Sequence, residues 1–128
     1  MIEQECTLNI KFDLSTKIEN NLSLVYEKMP GWIGYRKEDG IPFWFSYDDN
    51  NKSIFASIEP SGLVIYAHMV TEEWLDWKSK FKLIATQTLG FKVGEIELGE
   101  VSENIEWNKN KSEIELKLKT KKWWDFWK

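Results

Sequence analysis

Residues 31–70 read GWIGYRKEDGIPFWFSYDDNNKSIFASIEPSGLVIYAHMV. Four runs rich in aromatic and β-branched residues stand out within it, at 31–37, 41–47, 53–59 and 63–70. Between them lie Glu38-Asp39-Gly40, Asp48-Asp49-Asn50-Asn51 and Pro60-Ser61-Gly62. Short polar turns between successive strand-like runs predict an antiparallel meander of four strands.

On the N-terminal side, residues 5–14 alternate. Cys6, Leu8, Ile10, Phe12 and Leu14 fall on one face, and Glu5, Thr7, Asn9, Lys11 and Asp13 on the other. That period predicts a half-buried strand. Thr16 then offers an N-cap, with Glu19 at capping-box spacing. Ile18, Leu22, Val25, Tyr26 and Met29 recur at helical spacing up to Pro30-Gly31, which stops the helix.

On the C-terminal side, Thr71 is placed to cap a second helix, and Glu72 and Glu73 suit the positive end of its dipole. Trp74, Trp77, Phe81, Ile84, Ala85 and Thr88 form its apolar stripe, and Gly90 is its expected stop. Residues 93–98 read as another strand, and 104–107 with 113–119 as a further hairpin. The expected fold is α+β: a two-layer sandwich with a mainly antiparallel sheet, in the order β-α-β-β-β-β-α-β plus a C-terminal extension, with two helices on one face. Residues 1–120 are expected to form one domain, and 121–128 a tail rich in Lys and Trp.

At 128 residues the chain is long enough to bury a core without disulfides or metal. The formal net charge is -4 and Arg36 is the one arginine, which argues against general nucleic-acid binding. Cys6 stands alone, so no internal disulfide can form. With no signal-like N-terminus, a cytoplasmic protein is expected. Trp occurs 8 times, more than a core of this size readily swallows whole, so some rings are expected at the surface.

Aliphatic content assigns the faces of the meander. Ile54, Ala56 and Ile58, then Leu63, Ile65, Ala67 and Met69, are expected under the helices, together with Phe43, Phe45 and Tyr47. Trp44, Ser46, Phe55, Ser57, Tyr66 and His68 are then expected on the outer face, joined by Trp32 and Arg36 with the small Gly34 between them. Aromatic rings and an arginine are the side chains enriched at binding hot spots. Alternation fixes which side chains share a face but not what covers it, so a C-terminal segment folded over these rings remains an open alternative.

Catalytic motifs are weak. A Cys6–His68 dyad would need both groups on one face, and the alternation separates them. Asp48, Asn50 and Glu59 match calcium-loop positions one, three and twelve, but Lys52 sits where a ligand belongs and Ser53 replaces the turn glycine. No metal or organic cofactor is expected. A carboxylate pair acting as acid and base has no residue to single it out.

Glu95, Glu97, Glu100, Glu103 and Glu106 form a run without a basic residue, which would steer a basic partner. A solvated acidic edge is the bland alternative. Beyond Asn108 the sign reverses, with Lys109, Lys111, Lys117, Lys119, Lys121 and Lys122 before Trp123, Trp124 and Trp127. Such a tail could touch an anionic membrane, dock on its own sheet or serve as a peptide motif.

Residues 74–97, WLDWKSKFKLIATQTLGFKVGEIE, resemble small bacterial immunity proteins of polymorphic-toxin systems, which carry an amphipathic helix ending in Leu-Gly and then an acidic strand. The resemblance covers this stretch alone. It implies a non-enzymatic protein that blocks a cognate toxin by surface contact. The leading expectation is therefore a protein-binding protein, with Trp32, Arg36, Trp44, Phe55, Tyr66, His68, Glu95, Glu97, Glu100 and Glu103 as contact residues. A carbohydrate- or small-ligand-binding module using the same rings is the second expectation, and a small carboxylate-dependent enzyme the third.

Overall fold

The computed structural model describes residues 1–107 except 12, 14, 49 and 103. Its elements follow in the order β1 (Ile2–Leu8), α1 (Thr16–Lys28), β2 (Trp32–Tyr35), β3 (Pro42–Trp44), β4 (Ser53–Glu59), β5 (Gly62–Met69) and α2 (Thr71–Leu89), closed by a single 3-10 turn at Ile96–Leu98. The strands make one 5-stranded antiparallel sheet in the order β1-β5-β4-β3-β2. Both helices pack on one face of it, so the α+β two-layer sandwich stands. Among the described residues no helix is long and apolar enough to cross a membrane.

The meander is β2 to β5, and β1 adds beside β5 from Ile2↔Met69 to Leu8↔Leu63. Its pairing ends at Leu8, well before residue 14. Asn9 explains the departure. Its backbone N–H donates to the Gly94 carbonyl at 3.2 Å, its side-chain amide donates to the Lys92 carbonyl at 2.9 Å, and its Oδ1 accepts the Gly94 N–H at 2.9 Å. A buried amide satisfied in this way latches the chain after α2 onto the end of β1. The latch holds residues 93–95 out of the sheet, and 96–98 close the 3-10 turn, where the alternation predicted a strand. Trp107 meets Phe91 in an isolated bridge, with the rings edge to face at 5.5 Å. The expected partner strand at 113–119 and the tail at 121–128 lie outside the described residues.

Ser15, not Thr16, caps α1, its Oγ accepting the Ile18 N–H at 3.4 Å. Glu19 thereby sits one position too far along for the reciprocal capping-box bond. The buried face of α1 is nonetheless Ile18, Leu22, Val25 and Tyr26, as the spacing predicts. Val70 stands at the N-cap of α2 without a side-chain bond, leaving Glu72 and Glu73 to offset the dipole. Gly90 ends α2 in the left-handed conformation, φ 85. Gly62 follows the two-residue turn at φ +133, and a Cβ there would lie 2.2 Å from the Leu8 carbonyl oxygen, so only glycine lets β1 close on β5.

The core lies between helices and sheet. Cys6, Leu8, Ile54, Ala56, Leu63, Ile65, Ala67 and Met69 rise from the sheet to meet Trp74, Trp77, Phe81, Ile84 and Ala85 of α2 and the apolar face of α1. Six of the seven residues expected inward on β4 and β5 lie in this core, the exception being the exposed Ile58, whereas β3 inverts. Trp44 is 0% exposed and its indole N–H donates to the Tyr26 carbonyl at 3.1 Å. Its ring meets Trp77 edge to face at 5.1 Å. Trp32, paired with Trp44 across the sheet, stacks on Tyr26 at 6.2 Å. Both tryptophans expected on the outer face are therefore inward.

Phe43 and Tyr47, expected inward, stand on the outer side. Phe45 adopts φ 72, and a left-handed residue breaks the strand alternation beyond Trp44. Its ring lies over Gly31, where a Cβ would come within 2.5 Å of it, and its N–H donates to the Gly31 carbonyl at 2.7 Å. Trp44 and Phe45 consequently both pack against the helix-side core, one after the other in sequence.

Candidate functional site

The outer face is ordered by strand register into rows that cross the sheet. The central row runs Glu5–Tyr66–Phe55–Phe43 over β1, β5, β4 and β3. One flanking row is Glu3–His68–Ser53 and the other Thr7–Val64–Ser57. Side chains directly opposite on neighbouring strands touch, so each row behaves as one continuous strip.

The central row is a file of rings standing on edge. Phe55 stacks on Tyr66 with centroids 4.9 Å apart and on Phe43 at 5.3 Å, at interplanar angles of 20° and 27°. Tyr47 extends the file, 5.3 Å from Phe43, and its hydroxyl donates to the Ile33 carbonyl at 3.2 Å. The Arg36 guanidinium lies 4.8 Å from the centroid of Phe43. That cation is paired with Asp39 and lies 3.8 Å from Glu38. The Asp39 carboxyl is held below its usual range, chiefly by the Arg36 hydrogen bond. At the opposite end the row finishes on the exposed carboxylate of Glu5.

Beside the Tyr66 end lies an open groove of about 520 Å³, lined by Glu3, Glu5, Ser53, Phe55, Tyr66 and His68 among others. The His68 Nδ1 lies 3.3 Å from the Asn51 carbonyl, which orients the imidazole along the groove wall. The chemistry on offer is apolar contact from half-buried rings, two carboxylates, a hydroxyl and an imidazole.

Of the residues expected to make contacts, Arg36, Phe55, Tyr66 and His68 share this face. Trp32 and Trp44 do not, since both rings pack with the helix-side core. The acidic run is also redistributed. Glu95 is 7% exposed and bonds Lys82 at 2.6 Å and Lys78 at 3.1 Å. Glu100 bonds Lys82 at 2.8 Å and accepts the Glu95 N–H at 2.9 Å. Both carboxylates are paired with lysines, Glu95 buried and Glu100 partly exposed, which weakens them as steering charges. Glu97 is exposed on the 3-10 turn, and Glu103 lies outside the described residues. The spacing Lys78–Lys82, one helical turn apart on α2, was the signal that the run had internal partners.

Phe43, Tyr47, Glu3, Glu5 and Ser53 belong to the face without having been picked out as contacts. Glu5 at least was legible, since it lies on the polar side of the β1 alternation. Cys6 and His68 sit on opposite faces of the sheet, on paired strands but out of register. The Cys6 thiol is pushed up to about 12, first by burial and then by the Glu95 charge. It is no nucleophile at neutral pH. Asp48, from the calcium-loop match, accepts the Asn50 N–H at 2.9 Å and the Asn51 side-chain amide at 3.2 Å, an ordinary polar turn. Among the described residues no group of three His, Cys, Asp or Glu side chains is placed to hold a metal ion.

Comparison of the chain with protein-family models, with curated proteins and with solved structures found no match.

Proposed function

We propose that this chain is a non-enzymatic binding protein that takes a basic polypeptide partner on the outer face of its sheet. The supporting observation is the ring file Phe43–Phe55–Tyr66, which crosses three strands and ends on Glu5; Phe43 is buried within it, and the half-buried Phe55 and Tyr66 reach the surface. Rings supply the desolvated centre of an interface, and carboxylates at one end of the file set the sign of the partner. The overall charge of -4 favours the same sign of partner. Neutralising a toxin is the concrete form we favour, on the likeness of residues 74–97 to immunity proteins. A cytoplasmic setting goes with it, where a lone buried thiol such as Cys6 stays reduced.

Carbohydrate binding is the weaker reading on geometry. A sugar stacks on an open ring face, whereas Phe55 has both faces taken by Phe43 and Tyr66 and offers solvent its edge.

The test is affinity capture from the native host with the full chain, run beside Tyr66→Ala and Glu5→Lys. One stoichiometric protein, lost with both variants and weakened by salt, is expected. Capture indifferent to both substitutions sinks the outer-face proposal.

A further inference from the structure

β4 is longer than the strand beside it. It pairs with β5 over its whole length, from Ser53↔His68 to Glu59↔Gly62, but with β3 only at Phe43↔Phe55 and Trp44↔Ile54. The β4–β5 turn has two residues, so Glu59 and Gly62 are its hydrogen-bonded closing pair. Counting back by twos, Ser57, Phe55 and Ser53 turn their backbone groups towards β5, and Ala56 and Ile58 turn theirs towards the β3 side. The continued register puts Pro42 opposite Ala56, and proline has no N–H to give to the Ala56 carbonyl. Among the described residues no strand residue stands opposite Ile58 on the β3 side. The chain before Pro42 is drawn aside instead, since Arg36 N–H bonds the Ile41 carbonyl at 2.9 Å and Gly40 N–H bonds the Arg36 carbonyl at 2.7 Å. Among the described residues the N–H and C=O of Ile58 and the C=O of Ala56 thus have no partner.

A groove of about 340 Å³ opens along this bare edge, between it, α1 and the β2–β3 connection. Leu22, Tyr26, Tyr35 and Ile41 give it an apolar wall, and among the described residues Glu19 is the one charged side chain lining it. Tyr26 is 6% exposed, yet its hydroxyl has no hydrogen-bond partner among the described residues. Tyr26 itself lines the groove. Burial, aided by Tyr35, raises the phenol well above its ordinary value, which keeps it a donor.

We propose that this notch is a second binding site, which receives an extended polypeptide segment as a short strand added opposite Ile58, with a Lys or Arg side chain laid in the groove. The strand's backbone would satisfy the Ile58 amide and carbonyl, as in other strand-addition complexes. An aliphatic stem suits Leu22 and Ile41, its cationic end suits Glu19, and the Tyr26 hydroxyl supplies one further hydrogen bond. The site lies on the helix side of the sheet and does not rest on the outer-face proposal.

Hydrogen exchange and peptide titration on the full chain test it. In the free protein the Ile58 amide should exchange as an open amide while its neighbours on the β5 side, Ser57 and Phe55, are protected. A capped Thr-Val-Lys-Val-Thr peptide should shift and protect the Ile58 amide saturably. The same peptide with Glu for Lys should bind roughly tenfold more weakly, about the worth of one charge-assisted contact. Ile58→Pro removes the free N–H without touching the β5 ladder and should abolish binding. Should that variant fold poorly, Tyr26→Phe and a peptide N-methylated along its central amides must each weaken binding to the native edge. Tyr66→Ala should leave it unchanged. An Ile58 amide already protected in the free chain overturns the proposal, since the chain then covers its own edge. So does the absence of a saturable shift, or equal binding by the N-methylated peptide.

Discussion

Replacing Trp44 by alanine tests the inversion of β3, on which the composition of both faces depends. The indole is 0% exposed, lies 5.1 Å from Trp77, 5.4 Å from Tyr26 and 5.5 Å from Trp32 by ring centroids, and donates to the Tyr26 carbonyl at 3.1 Å. Removing a large buried ring costs about 3–5 kcal/mol through lost transfer energy and the cavity left behind. The lost indole hydrogen bond adds about 1 kcal/mol at most, because the Tyr26 carbonyl keeps the Met29 N–H at 3.3 Å. A total near 4 kcal/mol is a large share of the stability of a domain this size and should lower its melting temperature by about 15 °C. Trp44→Phe, which keeps most of the packing, should cost about 1–2 kcal/mol. Phe55→Ala on the outer face, half-buried and held by two ring contacts of about 1 kcal/mol each, should cost about 2 kcal/mol. Urea unfolding followed by far-UV circular dichroism measures all three. A Trp44→Ala cost below that of Phe55→Ala would refute the placement, and with it the ring file as the outer surface.

Two further outcomes follow from the titrating groups of the core. Cys6 should resist alkylation in the native protein at pH 8 and react freely once urea unfolds the chain; its folded value of about 12 lies above the unfolded 9.0, so its contribution is complete below pH 9 and is lost as pH rises from there towards 12. In the Lys82–Glu100 pair, burial opposes both charges but hydrogen bonding outweighs it, holding Glu100 below its ordinary 4.5 and Lys82 above its ordinary 10.5. Glu100 therefore stabilises above pH 4.5 and loses its contribution as pH falls through its folded value, whereas Lys82 stabilises below 10.5 and loses it as pH rises through its own. Lys82→Ala, which leaves Glu95 with Lys78 alone, should cost about 3 kcal/mol at pH 7, and the difference from the native chain should narrow in acid. Chemical unfolding across pH reads this, and a difference that is flat from pH 7 to pH 3 would contradict it.

Periodicity carried most of the fold because periodicity is what burial imposes. Ile54, Ala56, Leu63, Ile65, Ala67 and Met69 are inward as their alternation says, and the stripe Trp74, Trp77, Phe81, Ile84 and Ala85 is the buried face of α2. β3 escaped for a local reason. In a run of Phe43, Trp44 and Phe45 both alternation phases are aromatic, so composition cannot choose between them, and the left-handed φ of Phe45 then puts two neighbours on one side. Residues 93–98 alternate as well as β1 does, yet Asn9 captures their backbone from 85 residues away in sequence, and the Lys78–Glu95–Lys82 ion pairs hold them there. Long-range capture of this kind leaves no periodic trace. The site was half legible for the same reasons. Residues on β4 and β5 were placed correctly, and those that depended on β3 or on the acidic run were not.

The redistribution of charge also changes how a partner would orient. With Glu95 and Glu100 paired to lysines, Glu3 and Glu5 stand exposed at the β1 edge of the ring face. The cation at the other end, Arg36, is matched by Asp39 and Glu38, so that end is close to neutral. The ring file therefore runs from a neutral end at β3 to a negative end at β1. Exposed charges act over about 8–10 Å at physiological salt, a distance spanned by two strand spacings. A basic group on the partner would accordingly feel the β1 end and hardly the β3 end. Electrostatics would then fix direction along the file, while the half-buried rings of Phe55 and Tyr66 supply the contact.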